Sequence, residues 1–116
     1  MSLSGAARRR KGHQFERDVV NALKDQLGEI PPYDDIRRNL TQVRDGDDRG
    51  GDVEGIDGWH IECKNHARIM LTGWLDQARR SCGEARPTVI YKKPGGEVRV
   101  VIELTLAEFA DVVRST

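Results

Sequence analysis

The stretch DVEGIDGWHIECK, residues 52–64, reads as two short β-strands folded back on each other around Asp57-Gly58. Asp-Gly between apolar runs is a strong hairpin signal, because it accepts the positive φ of a tight turn. Side chains alternate along a strand, so Glu62 and Lys64 share one face. The apolar pattern then selects the register. A strict two-residue turn pairs Val53 with Glu62 and Glu54 with Ile61, which leaves both faces mixed. One extra residue in the loop, or a bulge, pairs Val53 with Cys63 and Asp52 with Lys64. Val53, Gly55, Ile61 and Cys63 then share one face, and Asp52, Glu54, Glu62 and Lys64 share the other. The second register is the expected one, since a slip of one residue decides which face is buried.

Upstream, residues 45–51 (DGDDRGG) are a turn-rich loop, 37–44 (RRNLTQVR) a strand, and 29–36 (EIPPYDDI), with two prolines, a loop. Before them, Phe15, Val19, Leu23 and Leu27, with Ala22, recur at helical spacing. That helix is expected to start near Lys11 and to stop at Gly28. Residues 1–7 (MSLSGAA) are small and unpatterned and are expected to be disordered. Downstream, 72–83 reads as a helix with Leu71, Leu75, Ala78 and Cys82 on one stripe. Residues 88–92 (TVIYK) read as a buried strand, Pro94-Gly95-Gly96 as a turn, and 97–104 (EVRVVIEL) as a strand. Thr105 and Glu108 form a capping box for a last helix with Leu106, Phe109 and Val113 on its stripe. The order α-β-β-β-α-β-β-α predicts an α/β fold with a mixed central sheet, in one domain over 8–116.

The 116 residues suit a single compact domain with a modest core. Lys plus Arg and Asp plus Glu both number 19, so the formal net charge is zero. The distribution matters more than the sum. Arg8, Arg9, Arg10 and Lys11 form a basic arm with no acid, whereas Asp45 to Asp57 carries six acids against the single Arg49. A basic arm beside an acidic pocket fits an enzyme that holds phosphate and metal together. No apolar run approaches a membrane span or a signal segment. The spacing of Cys63 and Cys82 demands no disulfide, which favours a reducing cytoplasm.

The hairpin brings Asp52, Glu62 and Lys64 together. Clustered carboxylates repel and need a cation, and oxygen-only ligands at an open site suit Mg²⁺ or Mn²⁺. Such an ion activates water and neutralises charge on a phosphodiester. A neighbouring ammonium orients that water or stabilises the added charge of the transition state.

The pattern D-x9-E-x-K set in α-β-β-β-α-β order resembles the PD-(D/E)XK nuclease superfamily, whose core is restriction-endonuclease-like. The opening RRKGHQFERDVV resembles the start of archaeal-type Holliday junction resolvases and their phage relatives, in which a Lys-Gly pair precedes a helix bearing Glu just before Arg. The later IECKN, LTGWLDQA and PTVIYKK resemble the same phage group, so the likeness runs from about Arg8 to Val113. It implies that Glu16, Asp52 and Glu62 are acidic metal ligands assisted by the Cys63 carbonyl. It also makes Lys64 the catalytic lysine and Gln77 a polar residue facing the site. The implied partners are branched DNA and a second copy of the chain, with Arg8, Arg9, Arg10, Lys11 and Arg49 on the DNA. Gly51 stands where the superfamily name has proline, and Arg49-Gly50 stand where the archaeal enzymes often carry a hydroxyl residue.

Other readings are weaker on these residues. His13, His60, His66 and Cys63 make no convincing zinc spacing. DGDDRGGD resembles an EF-hand loop, but Arg49 and Ile56 fall where that loop needs an oxygen ligand and its closing Glu. No GxxxxGK[ST] loop is present, so ATP-driven action would need a partner. Trp74 reads as helix packing. The alternatives are a restriction- or repair-type endonuclease of the same superfamily, or a DNA-binding module that keeps the fold without the chemistry.

Overall fold

A computed structural model describes residues 4–40 and 51–116. The first helix, α1 (Gly5–Leu27), begins earlier than the expected start near Lys11. Ser4 caps it, its hydroxyl accepting from the Ala7 N–H at 3.1 Å. Ala, Arg and Lys are strong helix formers, so the basic run extends the helix instead of forming a free arm. Lys11-Gly12 accordingly lies inside α1 and does not precede it. Phe15, Val19 and Val20 are buried, with Leu23 and Leu27 packed beside them, whereas Ala22 is exposed.

The strands are β1 (Arg37–Arg38), β2 (Val53–Glu54), β3 (Trp59–Lys64), β4 (Arg86–Lys92) and β5 (Val98–Ile102). Helix α2 (Leu71–Ser81) joins β3 to β4, and α3 (Leu106–Arg114) closes the chain. Among the described residues the sheet runs in the order β1-β2-β3-β4-β5. The β3–β4 pair is parallel, as a helical crossover requires, and the other pairs are antiparallel. The element order and the mixed sheet are those expected. Residues 41–44 of the expected first strand lie outside the described residues, as does most of the 45–51 loop.

The hairpin corrects the expected register. Val53 pairs with Ile61, not with Cys63. The loop spans Gly55–Gly58, closed by a Trp59 N–H to Ile56 carbonyl contact at 3.3 Å. The partner of Val53 therefore sits two positions earlier on β3. A two-residue slip preserves the faces, so Val53, Ile61 and Cys63 still point to one side.

That side packs on α1. Val53, Ile61 and Ile90 join Phe15, Val19, Val20 and Ile36 in one core. The other side packs on α2, where Trp74 and Ala78 meet Val89. Fully burying such a side chain contributes about 1.5–3 kcal/mol. With both faces covered, β3 and β4 are interior strands, and polar residues on β3 are buried with them.

The capping box of α3 is present as expected, with the Glu108 N–H donating to Thr105 Oγ1 at 3.1 Å and the Thr105 N–H to Glu108 Oε1 at 2.9 Å. Its apolar stripe is uncovered: Leu106 is 84% exposed, and Phe109 and Val113 are more than half exposed. Among the described residues no helix is long and apolar enough to cross a membrane.

Candidate active site

Strand β3 presents His60, Glu62 and Lys64 on the α2 side. Asp52 comes in from the neighbouring strand through a bulge. Its N–H donates to the Ile61 carbonyl at 2.7 Å, so Asp52 and Val53 both face Ile61. Gly51 makes this crossing possible. Its φ is +71°, and a Cβ there would stand 2.5 Å from the Ile61 carbonyl oxygen. Proline, with φ fixed near −65°, could not occupy the position, which accounts for the glycine in place of the family proline. Buried Asn39 clamps the same segment: its N–H donates to the Asp52 carbonyl at 3.0 Å and its Nδ2 to the Gly51 carbonyl at 2.8 Å.

Each predicted acid has a definite partner. Asp52 is 7% exposed, and its Oδ2 accepts from the Cys63 N–H at 2.7 Å. Glu62 is 2% exposed, and its Oε1 lies 2.7 Å from His60 Nε2. Glu16 sits on α1, where its Oε2 accepts from Arg38 Nη2 at 3.0 Å and Nε at 3.2 Å. Lys64 Nζ donates to Gln77 Oε1 at 2.9 Å, so Gln77 does reach the site from α2.

Electrostatics ties these groups together. Burial, then the Glu62 charge, pushes the Asp52 carboxyl up from 3.8 to about 8. The Cys63 N–H opposes the shift, Glu16 adds to it and Lys64 opposes it. Burial, then the charges of Asp52, Glu16 and Glu62, drives the Cys63 thiol far above its ordinary range. Cys63 and Cys82 are both free thiols. The Cys63 sulfur is thus inert, and what it can offer a cation is its backbone oxygen.

Among the described residues, no three His, Cys, Asp or Glu side chains stand gathered as a ready metal cage. The three acids take a backbone N–H, a histidine and an arginine as partners. The donor chemistry still fits a hard divalent ion. The carboxylates supply oxygen ligands only, each of these partners engages one oxygen of its acid, and the upward shift of Asp52 marks buried negative charge that a cation would compensate.

Arg8, Arg9 and Arg10 are exposed on the first turns of α1 and Lys11 is half-buried. Arg8 and Lys11 line a cleft beside Cys63. Arg49 lies outside the described residues. Three residues near the site escape the sequence reading. His60 is a buried partner of Glu62, and its only signal is the same-face spacing H-x-E. Arg38 holds Glu16, and no local pattern announces a contact between α1 and β1. His66 stacks against Trp74 with ring centroids 5.6 Å apart. Trp74 itself is buried, as its reading as a packing residue predicted.

Comparison with known proteins agrees with this geometry. Residues 7–115 match the family described as "Phage putative PDDEXK endonuclease". Neither the curated proteins nor the solved structures yield a match. A match across nearly the whole chain, on a sheet that carries D-x9-E-x-K at its β2–β3 hairpin, settles the kinship. The chain belongs to this phage PD-(D/E)XK endonuclease family.

Proposed function

We propose that the protein is a divalent-metal-dependent endonuclease that hydrolyses phosphodiester bonds in branched DNA, acting as a homodimer in the cytoplasm of a phage-infected cell. The observation that carries the reading is geometric: Asp52 and Glu62 are buried on neighbouring segments of the sheet, with Oδ2 of Asp52 on the Cys63 N–H, and Lys64 stands on the Glu62 face of β3 held by Gln77. Asp52, Glu62 and Glu16, with the Cys63 carbonyl, would hold Mg²⁺ or Mn²⁺. When bound, such an ion supplies Lewis acidity toward the phosphodiester and makes water nucleophilic at neutral pH.

The chain's own residues do the positioning. Asn39 and the bulge fix Asp52, and His60 fixes Glu62. Gln77 holds the Lys64 ammonium, which stabilises the charge that builds on the phosphate. The exposed Arg8, Arg9 and Arg10 and the half-buried Lys11 contact phosphates along the strand.

Branched DNA as substrate is supported by the likeness of RRKGHQFERDVV to archaeal-type junction resolvases. A second copy is supported by the apolar side chains left open on β5 and α3. Val98, Val100, Ile102, Leu106, Phe109, Val112 and Val113 are each 40–84% exposed, and so many exposed apolar side chains on two elements favour an interaction face. Purified protein should cut a four-way junction or fork with added Mg²⁺ or Mn²⁺ and leave it intact with chelator. Equal cleavage of plain duplex would overturn the branched-DNA assignment, and sedimentation as a monomer the dimer.

A further inference from the structure

Beside the site, between the start of α1 and the β3–α2 connection, lies a cleft of about 480 Å³. Its rim carries three cations from two separate elements, Arg8 and Lys11 from α1 and Arg68 from the connection. Its wall is apolar and aromatic, formed by Ala67, Met70, Trp74 and His66. Trp74 is largely buried in that wall, and the exposed His66 ring lies against it.

A phosphate backbone alone needs cations but not an apolar wall. A folded partner segment would need the wall but not three cations. A nucleotide needs both, because a base has two apolar faces and its phosphate is anionic. A base paired inside a duplex cannot turn into a cleft beside its own backbone, whereas an unpaired one can. We propose that this cleft seats one unpaired nucleotide of the DNA strand engaged at the Asp52–Glu62–Lys64 site, its base on His66 and Met70 and its phosphates at Arg8, Lys11 and Arg68. The choice of DNA rests on the proposed nuclease function. Partial desolvation against Trp74, then the charges of Lys64 and Lys11, lowers the His66 pKa and so favours the neutral ring. The cleft gives the enzyme a physical means to prefer forks, flaps and opened junctions, where unpaired nucleotides occur.

The test uses the full-length protein without added divalent metal, so that binding is read without cleavage. The probes are a short, fully paired duplex and the same duplex with a single-stranded fork carrying 2-aminopurine at the first unpaired position. Unmodified protein binds the fork more tightly and changes the 2-aminopurine emission. His66→Ala loses the preference by about five-fold or more, the scale of one base–aromatic stack, with duplex affinity unchanged. His66→Phe, which keeps a flat ring, retains it. An equal preference in His66→Ala, an equal loss on both probes, or no preference in the unmodified protein overturns the proposal. Metal-dependent cleavage of the fork is followed separately. A His66-dependent preference without cleavage refutes the nuclease reading and leaves the cleft standing. Cleavage without that preference refutes the cleft alone.

Discussion

His60 Nε2 lies 2.7 Å from Glu62 Oε1, and both side chains are almost fully shielded from water. Two residues apart on β3, they share a face in the narrow space under α2. In the Nε2–H tautomer the imidazole donates to the Glu62 carboxylate. This bond fixes which way Glu62 points, a role that outer partners of metal ligands commonly fill. His60→Ala is expected to weaken Mn²⁺ binding about 10- to 100-fold and to cost about 1–3 kcal/mol of stability by stripping a buried carboxylate of its donor. Titration calorimetry checks the first and urea unfolding the second. Unchanged Mn²⁺ affinity would remove His60 from the site's support.

On the proposed reading, in which Asp52 is a metal ligand, this residue links metal, protons and stability. Its carboxyl is raised from 3.8 in the unfolded chain to about 8 in the folded one. The folded protein thus holds the proton more tightly, so this contribution is complete below about pH 4 and is lost as pH rises through about 8. Metal-free protein should lose thermal stability across that window. Added Mg²⁺ or Mn²⁺ should stabilise more at the alkaline end, where the ligand is already ionised. Melting curves with and without metal, at several pH values, measure both. Asp52→Asn should flatten the metal-free slope, and an unaltered slope would contradict the assignment.

Gly51 and Gly58 separate two costs of replacing glycine. Both have positive φ, +71° and +88°, but a Cβ at Gly58 meets nothing within 4 Å, whereas one at Gly51 would collide with the Ile61 carbonyl. Gly58→Ala should lose about 1–2 kcal/mol from backbone strain. Gly51→Ala should lose more, and should also disturb Asp52 and lower activity. Equal losses in urea unfolding would mean that the bulge relaxes freely.

The order of elements and the faces of the hairpin were legible because periodicity and the Asp57-Gly58 turn are local signals. The register was not, since Val53 meets Ile61 through a bulge whose cause is the close approach of Gly51 to β3. Asp52, Glu62 and Lys64 lie within one electrostatic field, and Gln77 accepts from Lys64; their spacing and the family resemblance picked them out as candidates, and their roles belong to the proposed function. Contacts between elements distant in sequence left no such trace. Glu16 meets Arg38 across 22 positions; for His60 the H-x-E spacing gives the shared face with Glu62 but not the burial. Helix α3 carries an amphipathic stripe that sequence alone would place against a core, yet its apolar side chains stay exposed among the described residues.

The basic start of α1 should act through phosphates. Replacing Arg8, Arg9, Arg10 and Lys11 with Ala preserves the helix, because alanine is the best helix former. It should weaken DNA binding and reduce the log–log salt slope by about 0.9 for each duplex phosphate that is no longer neutralised. Filter binding across a salt series reads the slope directly. An unchanged slope would make this turn of α1 a solubilising surface.

The most direct test of the account is cleavage of a forked or four-way DNA by purified Lys64→Ala protein beside the unmodified chain, with Asp52→Asn and Glu62→Gln in parallel. The unmodified protein should cut only with Mg²⁺ or Mn²⁺. Asp52→Asn and Glu62→Gln should fail by losing the ion. Lys64→Ala should fail while binding metal as well or better, because the ammonium repels the cation yet serves the developing phosphate charge. All three should still bind DNA, whose affinity comes mainly from phosphate contacts elsewhere. Full cleavage by Lys64→Ala, or metal-independent cleavage by the unmodified protein, would contradict the central claim.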